Sequence, residues 1–380
     1  MSSRNFKSKS RKIIFYSAVP FFNTWPRKWK FDTFKNYGFD IELWSMEKFF
    51  FKQEDINNAS SGSKEYLYND MFINKFKDFK ELEKKVSQLK KNDILFIISR
   101  GKLNDFNFDN PDLDIFNKHN IKYVCQHPIP YVTFSSIFFK IKYFFRHLRR
   151  YLFNYKNLPY LIVGSGRLAR KQVFKTYRKN FKYKSVPFFD VLWDEEEPII
   201  DKEYIVYVDE TADISPDAFL FQTPHPVKNI DEFYKNLNDL FYKIERWSNL
   251  KIVIATSGKY HYKLNPFHNR TIIYKKTSNL IKYSKFVIGH CSTALAQAIV
   301  DYKPLFLFKD EMFTKTKNKK IENHGKLFGI NSIWTKKITK KKFEEHMIVN
   351  DDQYNKIINE YYRENGVEGN FVDNLVSALR

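Results

Sequence analysis

The chain has 380 residues, 43% hydrophobic and 18% aromatic, enough apolar material for two packed domains and too much for wholesale disorder. Lys and Arg number 65 against 43 Asp and Glu, a formal charge of +22, which calls for an anionic partner: nucleic acid, an anionic membrane or a phosphate-bearing substrate. With 11 Gly and 13 Pro the chain is neither collagen-like nor a linker, and its two cysteines, Cys125 and Cys291, lie too far apart for a zinc motif or a disulfide framework, which predicts an intracellular, reduced protein.

Residues 1–30 carry eight basic side chains and no acid. The apolar run at 13–20 is short and lacks a small-residue cleavage site, so it reads as a first core strand rather than a signal peptide. No run of about 18 apolar residues occurs, and no transmembrane helix is expected. Apolar runs at 12–17, 40–44, 93–99, 121–125, 160–164 and 185–188 predict strands, with helix-period segments such as 74–91 between them. Asp112-Leu-Asp114 is a DxD, read as solvated within an Asn/Asp-rich loop.

Residues 134–156 are basic without an acid, and Ile137, Ile141, Phe144, Phe145, Leu148 and Leu152 fall on one helical face. This pattern predicts an interfacial helix on the inner membrane, with Lys140, Lys142, Arg146, Arg149 and Arg150 on anionic headgroups and Phe144 and Phe145 in the interface. A core helix with a solvated basic face has the same pattern. Nucleic acid is not expected as a partner, because no zinc finger, aromatic-glycine RNA-binding signature or GxxG clamp is present. Gly164-Ser-Gly-Arg-Leu-Ala169 matches the dinucleotide fingerprint GxGxxA, but lies late in the chain and is followed by a Lys/Arg-rich stretch.

An acidic, proline-containing stretch at 194–202 marks a domain boundary. Beyond it the rhythm repeats, with strands predicted at 204–208, 251–256, 271–274, 286–290 and 304–308 and helices at 229–248, 277–283 and 292–302. Residues 351–380 read as helical. Strands alternating with helices predict parallel sheets covered on both faces. The expectation is an α/β protein of two Rossmann-like domains with a cleft between them: 1–196, 197–349, and a tail at 350–380 packing back on the first.

The densest chemical signal runs from Lys285 to Phe308. An apolar strand ends at Gly289-His290, Ser292 and Thr293 follow, a helix carries Ala294, Leu295, Ala298 and Ile299, and Lys303-Pro304 leads into another strand. Gly289 permits a sharp turn, and Ser292 stands in an N-cap position. Backbone N–H groups and two hydroxyls there suit a phosphate or carboxylate; a capped helix without ligand has the same pattern. His290 is a candidate hydrogen-bond donor or general acid, and Asp209 or Glu210 a base or donor-orienting carboxylate. His225 is a candidate between Pro224 and Pro226. Lys259 and Arg270 are candidate phosphate clamps, and Asp190 lies near the boundary.

This ordered block, over roughly 185–310, resembles the donor-binding part of GT-B-type glycosyltransferases of bacterial surface-carbohydrate (capsule, lipopolysaccharide) biosynthesis. Residues 204–210, 233–245, 251–255 and 266–284 occur in the expected order upstream. The resemblance implies a cytoplasmic enzyme, peripheral on the inner membrane, transferring a sugar from a nucleotide donor to a surface glycan or lipid-linked acceptor. It puts Ser292 and Thr293 on the donor's phosphate or carboxylate. It suggests a CMP-activated sialic-acid-like or Kdo-like sugar, with a UDP- or GDP-sugar as runner-up. The nucleotide-sugar is a co-substrate, and neither cofactor nor metal is expected. Where such proteins often carry His-Pro-Arg, this chain has Thr256-Ser-Gly-Lys-Tyr-His261. Either Lys259 or His261 then replaces the lost cation, or the donor phosphate is held differently; the same departure motivates the alternative of a non-catalytic nucleotide- or glycan-binding protein of the same fold.

Overall fold

The computed structural model describes residues 11–60, 67–68, 72–99, 111–126, 159–176, 181–191, 196–211, 220, 224–258 and 260–379. Among them the first sheet contains β1 (Arg11–Ser17), β2 (Phe39–Ser45), β3 (Ile73–Lys75), β4 (Ile94–Ser99), β5 (Lys122–Gln126), β6 (Leu161–Gly164) and β7 (Lys182–Ser185). All pair in parallel, in the order β3-β2-β1-β4-β5-β6-β7. The second sheet contains β8 (Tyr204–Asp209), β9 (Lys251–Thr256), β10 (Ile272–Tyr274), β11 (Phe286–Gly289), β12 (Leu305–Lys309) and β13 (Ile333–Trp334), also parallel, in the order β10-β9-β8-β11-β12-β13. Each order reverses direction once, between β1 and β4 and between β8 and β11, as in a doubly wound Rossmann sheet. The protein is therefore an α/β fold of two Rossmann-like domains.

The central strands are apolar throughout because helices cover both faces. In β1, Ile13 and Phe15 enter one core and Ile14 and Tyr16 the other, as the two-residue period of a strand demands. The helix Phe371–Leu379 inserts Phe371, Leu375 and Val376 into the Ile13–Phe15 core, whereas Tyr354, Ile357 and Tyr362 belong to the core of the second sheet. The last 30 residues thus run from one domain to the other.

Several elements differ from the sequence reading. The strand expected at 185–188 ends at Ser185, and Val186 and Phe188 are core residues beyond it. The Lys-Tyr-Lys-Ser alternation of β7 is that of an edge strand kept soluble by lysine. The short edge strands β3 and β13 carry no apolar run and were not expected. The helix read over 74–91 covers Phe79–Val86, N-capped by Asp78, whose side chain accepts from the Glu81 N–H. The 292–302 helix is a 3-10 turn, Thr293–Leu295, followed by a short helix, Ala296–Val300. The DxD opens the helix Pro111–Lys118, with Asp112 buried and Asp114 exposed.

The GxGxxA segment joins β6 to the helix Gly166–Thr176, but its mouth is filled by the chain itself. A Cβ at Gly166 would stand 2.4 Å from the Glu360 carbonyl oxygen. Arg167 and Arg170 pair with Glu360 and Glu364 at 2.8 and 2.9 Å. A dinucleotide pyrophosphate has no room there.

Lys140, Lys142, Phe144, Phe145, Arg146, Arg149 and Arg150, and also Lys259, lie outside the described residues. No helix among the described residues is long and apolar enough to cross a membrane.

Candidate functional site

The carboxyl edges of the two sheets face each other. Arg27, in the turn of helix that follows β1, donates to the carbonyl of Lys275, the residue after β10, at 2.5 Å. Ligands of open α/β sheets bind at such edges, where the strand order reverses. In the second sheet that point lies between Asp209, which ends β8, and Gly289, which ends β11. Gly289 must be small, because a Cβ there would stand 2.8 Å from a methyl carbon of Leu295. That contact lets the 3-10 turn fold back against the strand end.

Glu210 ties this corner together. Its carboxylate accepts the Cys291 N–H at 2.7 Å and the Lys317 ammonium at 2.5 Å. Lys317 also stands 3.2 Å from the Cys291 sulfur. It comes from the first turn of the helix Lys315–Phe328, capped by Thr314, whose hydroxyl accepts the Lys317 N–H at 3.3 Å. Burial pushes the Glu210 carboxyl up, but the charge of Lys317, that of His290 and the hydrogen bonds pull it down further, to about 2. Burial opposes charge on Lys317 too, and the carboxylate beside it more than compensates, raising its pKa. Burial and the same carboxylate push the Cys291 thiol up to about 12. The corner is a fixed ion pair around a neutral thiol, so Glu210 is not the base expected from sequence.

His290 is likewise no general acid. It is fully buried, its ring 4.3 Å from that of Phe308 and 4.9 Å from that of Phe313, and neither ring nitrogen is hydrogen-bonded. Its Nδ1 stands 3.7 Å from Glu210. Burial drives its pKa down to about 3 despite the carboxylate. A neutral imidazole sealed among aromatic rings exchanges no proton with a cleft.

What the corner offers to solvent is hydrogen-bond donors. The Ser292 hydroxyl accepts the Ala294 N–H at 3.3 Å, and the Ser292 carbonyl accepts the Leu295 N–H at 3.2 Å. The N–H groups of Ser292 and Thr293 and the Thr293 hydroxyl have no partner among the described residues. Thr293 is exposed and Ser292 half-buried. Two amides and two hydroxyl protons, held by a turn that Glu210 anchors through the preceding amide, suit an oxyanion.

Asp209 is buried beside them. It accepts the Thr211 N–H at 3.0 Å and the Tyr262 hydroxyl at 2.7 Å. The Tyr234 hydroxyl donates in turn to that of Tyr262 at 3.3 Å. Tyr262 belongs to the loop between β9 and β10, where His261 stacks on Tyr274 with centroids 4.2 Å apart. His225 is exposed at the rim, and its Nδ1 lies 2.8 Å from the Val227 carbonyl. Val227 bridges to Phe313, so the His225 loop is tied to the segment preceding Lys317.

Arg270 is not part of this corner. It lies at the amino end of β10 and donates twice to Glu245, at 2.7 and 3.2 Å, and to Asn238 at 2.9 Å. Its guanidinium is consumed within the domain. Asp190 pairs with Lys28 at 2.7 Å. Sequence reasoning missed Lys317, Cys291 and Tyr262. Lys317 is one of many lysines between 315 and 342, and pairing across 107 residues leaves no local signal.

No family model matches the chain, and no curated protein matches it. Solved structures do. The glycotransferase of kitacinnamycin aligns at 10% identity over 98% of this chain and 99% of its own, with a TM-score of 0.51. MurG of Acinetobacter baumannii aligns at 9% identity over 97% and 99%, TM-score 0.47. The UDP-GlcNAc 2-epimerase of Methanocaldococcus jannaschii aligns at 12% identity over 97% and 99%, TM-score 0.48. The first of these likenesses agrees with a GT-B-like arrangement of the two Rossmann-like domains.

Proposed function

We propose that the protein is a glycosyltransferase that binds a nucleotide-sugar with its phosphate on the Ser292–Thr293 turn. The observation that carries this reading is the set of unpartnered donors at the strand-order reversal of the second sheet. Departure of the nucleotide leaves negative charge on its phosphate, and donors fixed before the reaction stabilise that charge without reorganising. Glu210 and Lys317 set the turn in place. Asp209 and His225 are the remaining groups at this edge that could take a proton from the acceptor hydroxyl. The kitacinnamycin protein of the same fold is a glycotransferase, which agrees with this reading. A UDP-, GDP- or CMP-linked sugar satisfies the same donors; a surface glycan or a lipid-linked glycan is the acceptor in this proposal. Residues 134–156 tether the enzyme to the inner membrane, and co-sedimentation with anionic vesicles tests that attachment.

A specific observation favours a second reading. With His290 sealed and Glu210 locked, two of the four sequence-predicted catalytic groups are out of play, which suits a nucleotide- or glycan-binding protein without transfer activity.

Thermal shift with CMP, UDP and GDP on wild type, Ser292→Ala and Thr293→Ala tests the site. One nucleotide is expected to stabilise the wild type, and each variant to bind it about ten- to a hundredfold more weakly, the value of a hydrogen bond to a charged group. Equal shifts in all three proteins would remove the phosphate assignment. Release of free sugar from the matching donor separates the two readings.

A further inference from the structure

A second cleft lies at the opposite edge of the second domain. It encloses about 600 Å³ beside the amino ends of β9 and β10, with Asp239, Tyr242, Lys251, His268, Asn269 and Arg270 among its walls. Along β9 it stands about 17 Å from the carboxyl edge, five steps of about 3.3 Å. Its floor is rigid, because Arg270 is clamped between Glu245 and Asn238 and lies over the Phe241 ring. Its rim is polar and open to solvent. Asp239, Lys251, His268 and Asn269 have no hydrogen-bond or ionic partner among the described residues, and Tyr242 is 65% exposed. Asp239 and Tyr242 stand three residues apart on one face of the helix Ile230–Ser248. His268 and Asn269 are both held at positive φ, 49° and 62°, which fixes them opposite that face.

We infer that this cleft is a second binding site for a neutral oligosaccharide, separate from the nucleotide turn. The wall chemistry selects the class. An anion would meet the carboxylates of Asp239 and Glu245 against one unpaired cation, Lys251. No group of three or more metal-ligating side chains occurs among the described residues. An apolar ligand would leave the polar rim unsatisfied. A pyranose has one face of C–H groups, which lies on an exposed tyrosine ring, and hydroxyls that pair with a carboxylate, an amide and an imidazole. Such a site holds glycan away from the reaction edge and raises its local concentration there.

The test uses the full chain on a printed array of neutral and acidic oligosaccharides, followed by titration of the best-retained neutral one. Tyr242→Ala and Asp239→Ala are expected to weaken binding at least tenfold, with Thr293→Ala binding as wild type. Both residues are exposed, and unchanged melting temperatures certify the fold. A blank array, retention of acidic glycans only, binding unmoved by Tyr242→Ala, or binding lost in Thr293→Ala would each overturn the inference. Retention on the array without any nucleotide shift would sink the transferase proposal and leave this site standing.

Discussion

Glu210 is a largely buried carboxylate, its side chain 16% exposed, held by one lysine that is 10% exposed. Taking both charges out of water costs several kcal/mol, and their pairing recovers it only while both are present. Lys317→Met strands the carboxylate and is expected to cost about 3–5 kcal/mol in urea unfolding, whereas Glu210→Gln with Lys317→Met costs far less. Equal losses in the two proteins would show that the pair is not coupled. His290 adds a pH dependence. The unfolded chain protonates it near 6.5 and the folded protein only near 3, so below pH 6.5 the unfolded state binds more protons and stability falls. Glu210, at about 2 folded against 4.5 unfolded, adds a second loss below pH 4.5. Above 6.5 both contributions are complete. His324 is also lowered by burial, so it too costs stability once the pH falls below 6.5. Replacing His290 with Phe is therefore expected to reduce the loss of stability between pH 6.5 and 4.5 by up to about 1.4 kcal/mol per pH unit, measured by urea melts; an unchanged slope would place the titration elsewhere. The sequence showed which residues stand at this corner, because strand, glycine and hydroxyls are contiguous. It could not show that His290 points inward or that Glu210 is paired, since Phe308, Phe313 and Lys317 reach them only through the fold.

At the scale of elements, the strand rhythm was legible wherever a strand is buried on both faces. β8, β9, β11 and β12 are continuous apolar runs and appear within a residue or so of their expected ends. β3 and β13, three and two residues long at sheet edges, have no such run. The closing of the GxGxxA mouth by residues 358–362 was invisible for a different reason: a fingerprint states what a loop can approach, not what already occupies it. Gly166 tests that packing. At φ 72° and 2.4 Å from the Glu360 carbonyl, Gly166→Ala meets both backbone strain and a clash with main chain. Gly366, at φ 80° with open space around it, isolates the strain alone. Gly366→Ala is expected to cost about 1 kcal/mol, and Gly166→Ala more than twice that, with faster proteolysis of the tail beyond residue 357. Equal costs would mean that the tail gives way without penalty.

Across the whole molecule, two kinds of contact join the domains, and their strengths differ. On one side the tail is anchored in both apolar cores: Tyr354, Ile357 and Tyr362 pack in that of the second sheet, and Phe371, Leu375 and Val376 in that of the first. On the other, Arg27 reaches the Lys275 carbonyl and lies 3.4 Å from Glu196, with its side chain 51% exposed. An exposed ion pair is worth about 0–1 kcal/mol, so Arg27, across the carboxyl edges, is the weaker of the two links. Arg27→Ala is expected to leave the melting temperature within about 2 °C of wild type. The same change should raise the radius of gyration measured by small-angle scattering and accelerate ligand release from the turn at Ser292. A variant that keeps both the wild-type radius and the wild-type release rate would locate the weaker link elsewhere; one that melts much earlier would make Arg27 part of the structural joint rather than the weaker link.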